Sequence, residues 1–148
     1  MIQNVMRKAV IPTAIRHRPL KMDDWGISFD AYKELYHFCQ QYNDKKREAE
    51  SLLMQSAQSG GEGLPHGKGG VSDPVSRAAI RREILLRDIE MIEQAAIGAD
   101  AQLYPYILRA VTTKDGMRSI RPPCGDRQFR AARRKFFCLL WEMKNGRL

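Results

Sequence analysis

Asp126-Arg127-Gln128-Phe129-Arg130-Ala131-Ala132-Arg133-Arg134-Lys135-Phe136-Phe137-Cys138-Leu139-Leu140-Trp141-Glu142-Met143 reads as an amphipathic helix. At about 100° per residue, Arg127, Arg130 and Arg134 fall on one side and Phe129, Ala132, Phe136, Leu140 and Met143 on the other. The apolar side expects a core to dock against. The arginine side expects a polyanion, because residues 117–148 hold nine Lys/Arg against two Asp/Glu, a local charge of +7 out of +8 for the whole chain. Nucleic acid is the commonest polyanion.

Moving upstream, the helical pattern repeats and no alternating strand pattern appears. The chain is therefore expected to be all-α, a small multi-helix domain of four or five helices ending in a helix-turn-helix-like element and the basic terminal helix. Arg121-Pro122-Pro123-Cys124-Gly125 breaks the chain ahead of that helix, and Asp126 is the expected cap. Met117 to Ile120 has room for one helical turn or an extended piece. Thr112-Thr113-Lys114-Asp115-Gly116 reads as a turn, preceded by a short helix through Leu103, Ile107, Leu108 and Val111, capped by Asp100 and tolerating Pro105 early. Ser72-Asp73-Pro74 starts a longer helix that is expected to stop at Gly98. Ile80, Ile84, Leu85, Ile89, Ile92 and Ala96 mark its buried side. Its arginines and carboxylates are nearly balanced, four against five over residues 73–97, which suits a solvated face with i,i+4 pairs.

Four segments follow: an N-terminal arm (1–27), an aromatic-rich helix (28–57), a Gly-rich linker (58–72) and a helix-turn-helix-like domain (73–148). The arm carries five Lys/Arg against two Asp/Glu and two prolines, Pro12 and Pro19. It reads as a basic arm or a loose cover on the core. In the second segment Ser28 is the expected cap. Tyr32, Leu35, Tyr36, Phe38, Cys39 and Tyr42 form an apolar face that suits a core better than a base-stacking platform. The linker has six glycines and Pro65. Its Gly67-Lys68 fails as a phosphate loop, because Glu62 and Gly69 stand where that motif needs glycine and a hydroxyl.

The composition closes several classes. Hydrophobic residues at 43% permit a packed core. No apolar run approaches the roughly 20 residues of a membrane span, and the first residues lack signal-peptide order, so the expected location is the cytoplasm. Cys39, Cys124 and Cys138 lack metal-site spacing, and Cys39 and Cys138 read as small hydrophobes; His17, His37 and His66 are scattered, His37 reading as a core-edge residue. No catalytic constellation is visible. The expectation is a non-enzymatic protein with no cofactor and no metal.

The order helix, Gly116 turn, short segment, Gly125 turn, basic helix matches a helix-turn-helix reader, whose last helix lies in the major groove. Arg127, Gln128, Arg130 and Ala131 would then meet bases, since arginine pairs bidentately with guanine and glutamine with adenine. Arg134 and Lys135 would grip backbone, with Arg118 and Arg121 as further phosphate contacts and Arg133 completing the set of candidate nucleic-acid-binding residues.

The stretch Val71-Ser-Asp-Pro-Val-Ser-Arg-Ala-Ala-Ile-Arg-Arg-Glu, the run Asp88-Ile-Glu-Met-Ile-Glu-Gln-Ala-Ala and the final Cys124–Phe137 segment resemble phage- and prophage-encoded regulators of the ArpU/RinA type. Those carry a sigma region-4-like helix-turn-helix. The resemblance covers residues 71–148 and implies a DNA-binding transcriptional regulator, with double-stranded DNA as first partner and host RNA polymerase as another. Pro122-Pro123 departs from the family by shortening the first helix of the motif, and its usual "GIS" step is missing. Two other readings stand beside it. One is a non-enzymatic phage protein that binds and modulates a host protein or ribonucleoprotein, such as a defence nuclease. The other is an RNA-binding or structural phage protein. A homodimer is open to any of them.

Overall fold

The computed structural model describes residues 20–59 and 73–146, and these form helices and the turns that join them, with no strand among them. Six helices follow a 3-10 turn at Asp23–Trp25: α1 (Phe29–Gln40), α2 (Tyr42–Ser59), α3 (Pro74–Ala99), α4 (Tyr104–Thr112), α5 (Met117–Ile120) and α6 (Asp126–Lys144). The expectations for residues 1–19, and for the linker beyond Ser59 with its Gly67-Lys68, lie outside the described residues.

α3 is the spine. Asp73 caps it by accepting from the Val75 N–H, with Pro74 in the first turn, where a missing N–H leaves nothing unpaired. The helix passes through Gly98 rather than stopping there. A Cβ at Gly98 would lie 3.1 Å from a Leu139 methyl of α6, so this glycine lets the two helices approach closely. α2 runs antiparallel to α3, tied by Lys45–Asp88 at 2.8 Å, by the Arg81 guanidinium on both Glu48 oxygens (2.9 and 3.3 Å), and by Arg82 Nε donating to the Ala49 carbonyl. The charges on α3 thus reach across to a neighbouring helix as well as along their own.

The expected single helix over 28–57 is two. Ser28 caps the first as expected, accepting from the Ala31 N–H. At Gln41 the backbone tightens, its N–H donating to the Phe38 carbonyl. The bend has a reason in the fold. Gln40 donates to the Val111 carbonyl at 2.7 Å, and Asn43 donates to that of Thr112. Two side chains at the α1–α2 junction thereby satisfy carbonyls that the end of α4 would leave orphaned.

The core joins both sides of the Gly-rich segment. Tyr32, Leu35, Tyr36, Cys39 and Tyr42 from α1 and the start of α2 pack with Ile89, Ile92, Ala95 and Ala96 of α3, Ile107, Ala110 and Val111 of α4, Ile120 of α5, and Phe129, Phe136, Phe137 and Leu140 of α6. Leu20, Met22 and Ile27 join them, so the last residues of the expected arm belong to the core. The tyrosines are therefore unavailable as base platforms. His37 is exposed, with its ring on the edge of Tyr36, rather than half-enclosed. Ile80 and Ile84, expected inside, are 60% and 46% exposed, because the first half of α3 extends past the core and, among the described elements, has α2 alone beside it.

Candidate nucleic-acid interface

α6 begins without a side-chain cap. Gly125 holds the N-cap position and Asp126 is already the first helical residue, so the expected Asp126 cap is not made. Asp126 still sits where the helix dipole favours a carboxylate. Upstream, α5 is one turn long. Its Ile120 is buried, and Arg121 closes it in the left-handed conformation (φ 47°), the one such non-glycine residue among those described. That conformation costs an L-residue roughly 1–2 kcal/mol. The Arg121 N–H donates to the Met117 carbonyl and its Nε to that of Arg118. A four-residue α5 ahead of α6 departs from the two-turn first helix of a full helix-turn-helix.

The packed side of α6 comprises Phe129, Ala132, Arg133, Phe136, Phe137 and Leu140. Four of the five expected apolar positions are buried, and Met143 is partly so. The helix is rotated toward α1 relative to the expected stripe: the Phe137 ring meets Tyr32 edge-on at 4.9 Å, and Arg133 is carried inside with it. Arg133 is 7% exposed, and its guanidinium lies 5.5 Å from the centre of the Phe129 ring. Its Nε has no hydrogen-bond partner, and no carboxylate pairs with it among the described residues. Burial lowers its pKa, and Arg130 and Arg134 push the same way, against the opposing influence of Tyr32. Arg133 thus cannot meet an external polyanion in this conformation, which corrects its place in the candidate set. The signal was present in the spacing: Arg133 is four residues after Phe129 and three and four before Phe136 and Phe137, which puts it on their side of the helix.

The other candidates face outward. Arg127, Gln128, Ala131 and Lys135 are exposed on α6, Arg130 and Arg134 are half-buried along one margin of that face, and Arg118 and Arg121 are exposed on and after α5. None of these six cations pairs with a carboxylate among the described residues, whereas ion pairs occur on α1, α2, α3 and between Arg109 and Asp115. From Arg127 to Lys135 the helix rises about 12 Å. Six uncompensated cations with a Gln-Ala step between them make a surface that can hold phosphates and reach base edges.

The described residues hold no group of three or more His, Cys, Asp or Glu side chains able to bind a metal ion. No described helix is long and apolar enough to cross a membrane. Cys39 is fully buried, and its thiol pKa is pushed up by that burial. Cys124 and Cys138 are partly exposed. No family model, curated protein or solved structure matches the chain.

Proposed function

We propose that this chain is a phage or prophage DNA-binding protein, a transcriptional regulator that lays α6 in the major groove. The observation that carries the proposal is the absence of carboxylate partners for Arg118, Arg121, Arg127, Arg130, Arg134 and Lys135 among the described residues, on an element whose other side is firmly packed. A compact fold tolerates such concentrated like charge best when a polyanion offsets it. Arg127, Gln128, Arg130 and Ala131 stand near the start of the helix, where a major-groove reader meets bases. Arg134, Lys135, Arg118 and Arg121 are placed for phosphates.

The phage assignment and the regulatory role rest on the sequence resemblance over residues 71–148. The short α5 narrows what is borrowed from it: the reading depends on the basic helix, with the α5 turn as a phosphate clamp rather than a full first helix. The test is a gel shift with duplex DNA, using wild type and the triple variant Arg127→Ala, Arg130→Ala, Arg134→Ala, with helix content followed by circular dichroism. The variant is expected to lose binding and keep its helices. Full-strength binding by a folded triple variant rejects the proposal. An RNA competitor that displaces DNA at equal concentration favours an RNA-binding role instead.

A further inference from the structure

α5 is too short to hold itself. A four-residue helix closes a single turn, which does not offset the entropy of forming it. Its buried Ile120 anchors one side. The other side is tied to α4 through Arg109. The Arg109 Nε donates to Asp115 Oδ2 at 3.0 Å, and its Nη2 donates to the Ser119 hydroxyl at 2.9 Å. One guanidinium thus bridges the last turn of α4, the turn that follows it and α5. Thr113 tightens the same turn: its hydroxyl donates to the Arg109 carbonyl at 2.6 Å and accepts from the Asp115 N–H. At the far end Arg121 closes α5 at φ 47°, a conformation in which glycine would sit without strain. Its Nε folds back onto the Arg118 carbonyl at 3.0 Å.

This bracing adds little to the stability of the fold. The Arg109 and Asp115 side chains are 46% and 44% exposed, and an ion pair so open to water is weak. What it sets is geometry. Arg118 lies on α5 and Arg121 directly after it, both exposed and neither paired with a carboxylate among the described residues. Asp115 is the one acid between Asp100 and Asp126, and it engages Arg109 rather than either of them. An arginine held where glycine would be easier marks a position kept for its side chain. We propose that Arg109, Asp115 and Ser119 are positioning residues of the DNA interface. Their network fixes α5 before DNA arrives, so that Arg118 and Arg121 meet backbone phosphates from a turn that is already ordered. Part of the ordering cost then falls on folding instead of on binding. The inference rests on the DNA reading above and deepens it, giving roles to three residues that need not touch DNA.

Fluorescence anisotropy of the full chain with a labelled duplex of about 25 base pairs, at salt between about 50 and 200 mM, tests it. Asp115→Asn removes an acid from a surface that faces phosphates. Charge alone predicts tighter binding. Positioning predicts the reverse: affinity about tenfold lower, with the salt slope smaller by about one to two units as Arg118 and Arg121 lose their contacts. Ser119→Ala removes the second tie with no change of charge, and is expected to lower affinity about threefold with the slope moving the same way. Circular dichroism should be unchanged in both, since none of these side chains belongs to the core. Asp115→Asn that binds as tightly as wild type, or tighter, overturns the inference and leaves the DNA reading standing. Weaker binding at an unchanged slope also overturns it, because no phosphate contact has then been lost. Should Asp115→Asn lose helix, Ser119→Ala decides: wild-type affinity from that variant overturns the proposal. A wild type that binds no duplex sinks the DNA reading first, and this inference with it.

Discussion

Replacing Arg133 by methionine should stabilise the fold. The native side chain buries a guanidinium whose Nε has no hydrogen-bond partner, beside Arg130 and Arg134 of like charge. An unsatisfied buried polar group costs about 1–3 kcal/mol. Its contact with the Phe129 ring, 5.5 Å from the ring centre, returns about 0.5–2 kcal/mol. Methionine keeps an unbranched apolar chain against Phe129 and removes the charge, and its sulfur suits an aromatic neighbour. The balance is a gain of about 1 kcal/mol, or roughly 2–4 °C in Tm for a chain of this size. Arg133→Ala should instead destabilise, because it empties the space the stem fills between Phe129 and α1. Urea denaturation of the three proteins measures both effects. Under the proposed function, Arg133→Met should also leave DNA affinity within about twofold of wild type, since the side chain faces inward. A loss of more than about 1 kcal/mol on Arg133→Met would refute the argument, showing that the guanidinium is well satisfied in the fold.

Arg121→Gly should stabilise by about 1 kcal/mol by relieving the left-handed conformation, while weakening DNA binding through a lost cation; thermal melts and a gel shift read the two effects separately. With four phosphate-facing cations, log K against log salt should have a slope of about −3.6, equivalent to a loss of roughly 150-fold between 50 and 200 mM salt, and Lys135→Gln should reduce that slope by about one unit in a fluorescence-anisotropy titration. Burial raises the folded-state pKa of Cys39 and Tyr32 above their ordinary values of 9.0 and 10.0. Stability from these groups is therefore full below those values and declines as pH rises past them, because the unfolded chain loses its protons first; urea midpoints should fall between pH 9 and pH 11. A thiol reagent at neutral pH should modify Cys124 and Cys138 in the native protein and reach Cys39 only on unfolding, as counted by absorbance before and after adding denaturant.

The helix starts were largely legible because capping chemistry is local. Ser28 and the Asp73-Pro74 pair need only their own next turn to act. Asp126 misled for the same reason: a carboxylate in the first turn and one at the cap look alike in a sequence, and the backbone chose Gly125 as the cap. The bend at Gln41 was invisible, since its cause lies some 70 residues away at the carbonyls of Val111 and Thr112. Ile80 and Ile84 carry a regular apolar spacing that marks a face to be covered. Spacing does not say whether the same chain supplies the cover.

Local physics was enough to specify that this chain is helical, that residues 126–143 have a packed side and a cationic side, and that positive charge collects at the carboxyl end. Helical periodicity and formal charge are properties of neighbouring residues, so no distant contact can alter them. Tertiary packing decided how far α6 is rotated, because Tyr32 draws Phe137 and with it Arg133 into the core. It also decided which part of α3 stays bare, because α6 covers the side bearing Gly98 and leaves Ile80 and Ile84 in water.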